Sequence, residues 1–129
     1  MRLENRHIRF LIGTALSAFL LLASGPGRGE PTARVDRTIQ HLMAHVAGSG
    51  LTFIRTAERH TSVDAAEHMN KKYRHFKNEI ETPEDFIELC ATKSLLSGAP
   101  YLVIDAQGNE VKTSDWLQAE LGSYRTRGQ

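Results

Sequence analysis

The order of residues at the N-terminus limits how much chain is left to fold. Arg2, Arg6 and Arg9 precede an apolar run over residues 10–23, and Ala23, Ser24, Gly25, Gly27 and Gly29 place small residues behind it. Positive charge, hydrophobe and small residues in that order make a secretory signal. The run counts 14 residues, short of the roughly 20 that cross a bilayer as a helix. A cleaved signal peptide over residues 1–25 is therefore expected, with the cut between 25 and 33. Residues 26–32 (PGRGEPT) carry Gly and Pro and no hydrophobe, so 26–33 reads as a linker. What remains, 34–129, is 96 residues, enough for one small core and too few for two. The expected location is the periplasm, with the membrane met only during export.

Removing the leader also changes the charge. The chain has 16 Lys and Arg against 15 Asp and Glu, but Arg2, Arg6, Arg9, Arg28, Glu4 and Glu30 precede Arg34, leaving 12 against 13. The domain lacks the positive excess that binding a phosphate backbone requires, so nucleic acid is excluded as an expected partner. Cys90 is the single cysteine. It has no partner for an internal disulfide, and packing must hold the domain together.

Apolar residues place the elements. Val35, Ile39, Leu42, Met43 and Val46 make one stripe on a helix over 35–48, ended by Gly48-Ser49-Gly50. Residues 51–55 are β-branched and aromatic enough for a short strand, and the polar stretch through Glu58, Arg59 and His60 reads as a loop. Thr61 or Ser62 caps a second helix to about Lys77, with Ala65, Ala66, Met69, Tyr73 and Phe76 inward. Thr82-Pro83-Glu84-Asp85 combines a capping hydroxyl, a proline at the first helical position and two acids in the first turn. Phe86, Ile87, Cys90 and Ala91 then face the core. Residues 101–104 and 110–112 flank turn residues and predict a β-hairpin. Thr113 or Ser114 caps a last helix through Trp116, Leu117, Leu121 and Tyr124, followed by a frayed tail. The expected fold is α+β: a single domain over 34–129 with about four helices and a small antiparallel sheet.

Few residues invite chemistry. His41 and His45, one turn apart, have metal-ligand spacing, but no Cys or carboxylate follows at ligand spacing and they read as surface histidines. His68 and His75 lie on the polar side of the second helix, and Asp64 one turn before His68 could orient it and raise its pKa or be an ordinary helix pair. Cys90 sits amid core residues, where a thiol is shielded. Arg55 ends the strand after Phe53 and Ile54, close to the core, where a guanidinium needs a fixed carboxylate: Glu81, Glu84 or Asp85 from the protein, or one from a ligand. Phosphate loops, zinc motifs and nucleophile elbows are absent from the sequence, and no cofactor or metal is expected.

The succession of Phe53-Ile54-Arg55, His60, Ala66, His68, Thr82-Pro83-Glu84-Asp85-Phe86-Ile87, Ser94 and Gly98-Ala99-Pro100-Tyr101 resembles the YfeK-like family, small bacterial proteins with signal peptides and no assigned function. The resemblance spans about residues 39–121 and implies a periplasmic setting and a single domain. That family continues the Phe-Ile/Val-Arg segment with Asn-Gly, where this chain has Thr56-Ala57. Neither residue readily accepts positive φ, so a tight turn after Arg55 does not follow from the residues present.

These observations favour a monomeric, non-enzymatic binding or accessory module for an envelope protein or a small anionic ligand. Its candidate ligand-binding residues are Arg55, His60, His68, Ser94 and Tyr101. The alternatives are a small periplasmic hydrolase with His60 or His68 as base, and a metal-binding protein using several of His41, His45, His60, His68 and His75.

Overall fold

A computed structural model describes residues 31–128; the expected signal peptide and most of the expected linker lie outside the described residues. The elements run α1 (Ala33–Gly48), β1 (Thr52–Arg55), β2 (Glu58–His60), α2 (Ser62–Phe76), a single 3₁₀ turn (Lys77–Glu79), α3 (Pro83–Cys90), β3 (Leu102–Ile104), β4 (Glu110–Lys112) and α4 (Thr113–Arg127). Four helices on a four-stranded antiparallel sheet of order β2-β1-β3-β4 make the expected α+β domain.

Side-chain caps set most of the helix starts. Thr32 accepts a hydrogen bond from the Val35 amide, so α1 begins at Ala33, inside the stretch that composition alone assigns to a linker. Thr61 caps α2 through the Asp64 amide. Thr82 caps α3 by accepting from the Asp85 amide, and the Asp85 carboxylate accepts in turn from the Thr82 amide, completing a capping box around Pro83. The last helix departs from expectation. Thr113 is its first residue, not its cap, and no side chain caps α4. The β4 ladder runs on into the Thr113 amide, which donates to the Tyr101 carbonyl at 2.9 Å, turning the side chain inward. The helix also continues to Arg127 where a frayed tail is expected, with Arg125 paired to Glu84 and Arg127 to Glu120.

The core lies between the sheet and the helices. Ile39, Leu42 and Val46 from α1, Phe86 from α3, and Leu117 and Val103 from α4 and β3 are all 0% exposed. Each such side chain contributes about 1.5–3 kcal/mol by leaving water. Tyr73 packs edge-on against Phe86 at 5.7 Å and donates its hydroxyl to Asp36, tying α2 to α1 and α3. Cys90 is buried as expected, and burial pushes its thiol up to about 12, which keeps it protonated and inert.

The segment after β1 corrects the sequence reading twice. Residues 58–60 are not a loop but β2, paired antiparallel to β1 in the register Phe53↔His60, Ile54↔Arg59, Arg55↔Glu58. That register leaves a two-residue turn, and Thr56 (φ 54°) and Ala57 (φ 65°) both adopt left-handed backbone to make it. Two consecutive positive φ values are the signature of the type I′ hairpin, whose twist matches the strands it joins. Pairing on both edges of β1 holds the turn against residues that disfavour it. Left-handed backbone costs an L-residue roughly 1–2 kcal/mol, so replacing Thr56-Ala57 with Asn-Gly is expected to stabilise the domain by about 1–2 kcal/mol. A urea midpoint that does not rise would contradict the strain.

Candidate functional site

The strand registers assemble the site. Phe53 stands opposite His60 on one side and Val103 on the other, so His60, Phe53 and Val103 share one row across one face of the sheet. Side chains two positions along point the same way. In the next row that face therefore carries Glu58 at its exposed end, Arg55, then Tyr101 just before β3, then Thr113 just after β4. Phe53 and Val103 are core, so the four polar groups beside them, His60, Arg55, Tyr101 and Thr113, enter at the margin of the core and not on the outer face of the sheet. Helix α2 closes the space with Ala65, His68 and Met69.

Two connected cavities result. An outer pocket of ≈ 230 Å³ is lined by Arg55, His60, Asp64, Glu67, His68 and Lys71. Beneath it lies an inner cavity of ≈ 20 Å³, which shares Arg55, His60 and His68 and is completed by Phe53, Ile54, Ala65, Met69, Tyr101 and Thr113. Two buried polar side-chain atoms have no hydrogen-bond partner among the described residues, His60 Nε2 and Thr113 Oγ1. Both residues line the inner cavity. Leaving such a group unsatisfied costs about 1–3 kcal/mol, so the cavity is built to be met by a polar atom.

A relay orients the second imidazole, His68. Lys72, 8% exposed, donates to the Lys93 carbonyl at 3.2 Å and to the Tyr101 hydroxyl at 3.3 Å, and the Tyr101 hydroxyl lies 3.2 Å from His68 Nε2. With Lys72 donating into the Tyr101 oxygen, the phenol proton is free to turn to His68 in the tautomer that leaves Nε2 bare. Nε2 is then the acceptor, and the imidazole carries its own proton on Nδ1. Burial holds the Tyr101 phenol above its ordinary range and Lys72 below its own, which suits both to these roles.

The field here is positive. His68 is lowered to about 4, first by burial and then by Arg55, Lys72, His60 and Lys71. Of the two readings of Asp64, the one in which it raises His68 is not met: Asp64 makes no hydrogen bond to His68, and burial with four cationic or ionisable neighbours lowers it. Arg55 has no ion-pair partner among the described residues. Of the three carboxylates that the sequence offers it, Glu84 binds Arg125 through both oxygens, Asp85 caps α3, and Glu81 is exposed and in no ion pair among the described residues. Arg55 forms no ion pair with the acids around it, Glu58 opposite it across the strands and Asp64 and Glu67 in the outer pocket, and a guanidinium so placed beside two inward imidazoles is equipped to receive an anion.

Four of the five candidate residues, Arg55, His60, His68 and Tyr101, line these cavities. Ser94 does not: its hydroxyl accepts from the Leu96 and Ser97 amides and closes the turn before β3. Thr113 and Lys72 belong to the site and escape the sequence reading, Thr113 because it resembles a cap. Lys72 lies on the α2 stripe of Ala65, Met69, Tyr73 and Phe76, and a lysine on an apolar stripe is a detectable signal. His41 and His45 lie elsewhere, under α4. His41 Nε2 is 2.6 Å from Glu120 and its ring stacks on Tyr124, while His45 packs against Trp116. They are half-buried rather than surface residues, and the carboxylate that meets them comes from far along the chain. His75 is exposed beside Phe76. Among the described residues, no group of three or more His, Cys, Asp or Glu side chains is arranged to hold a metal ion.

A family model described as "Family of unknown function (DUF5329)" matches residues 33–125. The "Uncharacterized protein YfeK" of Salmonella typhimurium (strain LT2) is 38% identical over 82 residues, which cover 63% of this chain and 68% of that protein. No solved structure matches the chain significantly.

The lowered His68 has a thermodynamic consequence. Below its ordinary value of 6.5 the unfolded chain takes up a proton that the folded site refuses until about 4. Stability therefore falls as pH drops from about 6.5 to about 4. Glu84 and Glu120, both held below their ordinary 4.5, lose their share only in more acid solution. His68→Gln is expected to flatten the slope between pH 6.5 and 4.5 in a series of urea denaturations. An unchanged slope would place the proton uptake elsewhere.

Proposed function

We propose, on the premise that the chain belongs to the DUF5329 family of unknown function, that it is an exported, non-enzymatic module that binds a small anion in the Arg55 pocket. The observation that carries this reading is Arg55 itself: a guanidinium at the margin of the core, without a carboxylate partner among the described residues, facing a pocket it shares with His60 and His68. A carboxylate entering there gains charge-assisted bonds from Arg55, and His68 with its proton on Nδ1 adds a neutral donor. The pocket is smaller than the roughly 300–1,000 Å³ typical of drug-sized ligands, which suits a small metabolite better than a protein segment. A hydrolytic role for His68 is less well supported, since a group at about 4 is a weak general base at neutral pH.

Titration with acetate at low ionic strength, followed through the side-chain resonances of His60 and His68, tests the reading. Saturable shifts are expected, with Kd raised about tenfold or more by Arg55→Ala, the loss expected for a charged hydrogen bond. Arg125→Ala, which removes an exposed guanidinium already paired to Glu84, serves as control and leaves Kd unchanged. Equal Kd for the Arg55 variant and the wild type would contradict the assignment.

A further inference from the structure

Resting on that anion-binding reading, we propose that the ligand is a free α-amino acid with a small hydroxyl-bearing side chain, of which serine is the type. The first observation is the charge pattern of the outer pocket. Arg55 and Lys71 supply two cations, and Asp64 and Glu67 supply two carboxylates. None of the four is in an ion pair among the described residues. Glu67 and Lys71 stand at i and i+4 on α2, the spacing and order at which a helix pair ordinarily forms. Opposite charges that surround one space without joining suit a ligand that carries both signs a bond or two apart, as the ammonium and carboxylate of an α-amino acid do. The carboxylate belongs with Arg55, and the ammonium with Asp64 and Glu67.

The second observation is the inner cavity. Its ≈ 20 Å³ is little more than the roughly 10–15 Å³ that a single water-sized atom requires, so only the tip of a side chain enters. The walls are apolar at Phe53, Ala65 and Met69, and the polar atoms without partners are Thr113 Oγ1 and His60 Nε2. Thr113 is 0% exposed, so nothing in bulk solvent serves it. A methyl group in this cavity would leave both atoms unsatisfied; a hydroxyl, which donates and accepts, meets both. A long side chain has no room.

Calorimetric titration of the full chain with serine, alanine, leucine and acetate at neutral pH and low salt tests this. Serine is expected to bind about tenfold more tightly than alanine or acetate, from the added charged and buried hydrogen bonds, and leucine not measurably. Asp64→Asn with Glu67→Gln, both on the exposed face of α2, should reduce serine binding about tenfold or more and leave acetate binding undiminished. Thr113→Val, checked for folding by circular dichroism, should abolish the preference for serine over alanine. Equal binding of serine and acetate would overturn the amino-acid assignment while the anion site stands. Equal binding of serine and alanine would overturn the hydroxyl subsite, as a resident water in the inner cavity would produce. Binding of none of the four would remove the anion site as well.

Discussion

The antiparallel pairing of β1 with β3 is the contact on which the rest of the structure depends. It joins two hairpins that are separated in the chain by two helices, in the register Thr52↔Ile104, Phe53↔Val103, Ile54↔Leu102. That register gives the core its sheet floor through Phe53 and Val103. The same register brings Arg55 level with Tyr101, and the β3–β4 pairing brings Thr113 level with both. A slip of one residue would send all of these side chains to the opposite face, so the core and the pocket are specified together. The left-handed turn at Thr56-Ala57 is held by the same sheet, because β1 is paired along both edges.

The pocket concentrates polar groups where burial is costly. Lys72 is retained because it orients Tyr101 and, through it, His68; its ammonium also lies 5.0 Å from the Tyr101 ring centroid, a favourable cation–aromatic contact. Glu58 stands opposite Arg55 across the strands and Asp64 and Glu67 line the outer pocket, yet none of the three forms an ion pair with it, while Glu84 is held by Arg125 and Asp85 by the α3 cap. The pocket is thus cationic toward its floor, with Asp64 and Glu67 at its edge. Sites that depart from internal charge pairing are where function concentrates.

Much of the fold is legible in the residues because local chemistry decides it. The Thr82-Pro83-Glu84-Asp85 start, the Ile39, Leu42 and Val46 stripe, and the hairpin around residues 105–109 each carry their signal within a few positions. Where reading fails, a distant partner decides. Residues 58–60 are too polar to announce a strand and become one only by pairing with β1. Thr113 has the residue type of a cap, yet the strand ladder turns it inward. His41 and His45 look solvent-exposed until Glu120, Tyr124 and Trp116 arrive from α4. For the site, Arg55, His60, His68 and Tyr101 are visible as residue types in suggestive places, but their convergence is a product of register, and periodicity in one segment contains no information about register with another.

The most direct test of this account is the protonation state of His68 in the free protein at about pH 5.5, between its ordinary 6.5 and the value of about 4 in the site, read from the nitrogen chemical shifts and couplings of its imidazole. Control of the pocket by Arg55, Lys72 and burial predicts a neutral ring with its proton on Nδ1 and Nε2 accepting from Tyr101. A protonated imidazolium would mean that Asp64 and Glu67 dominate the field, and the pocket would then not be the anion site described.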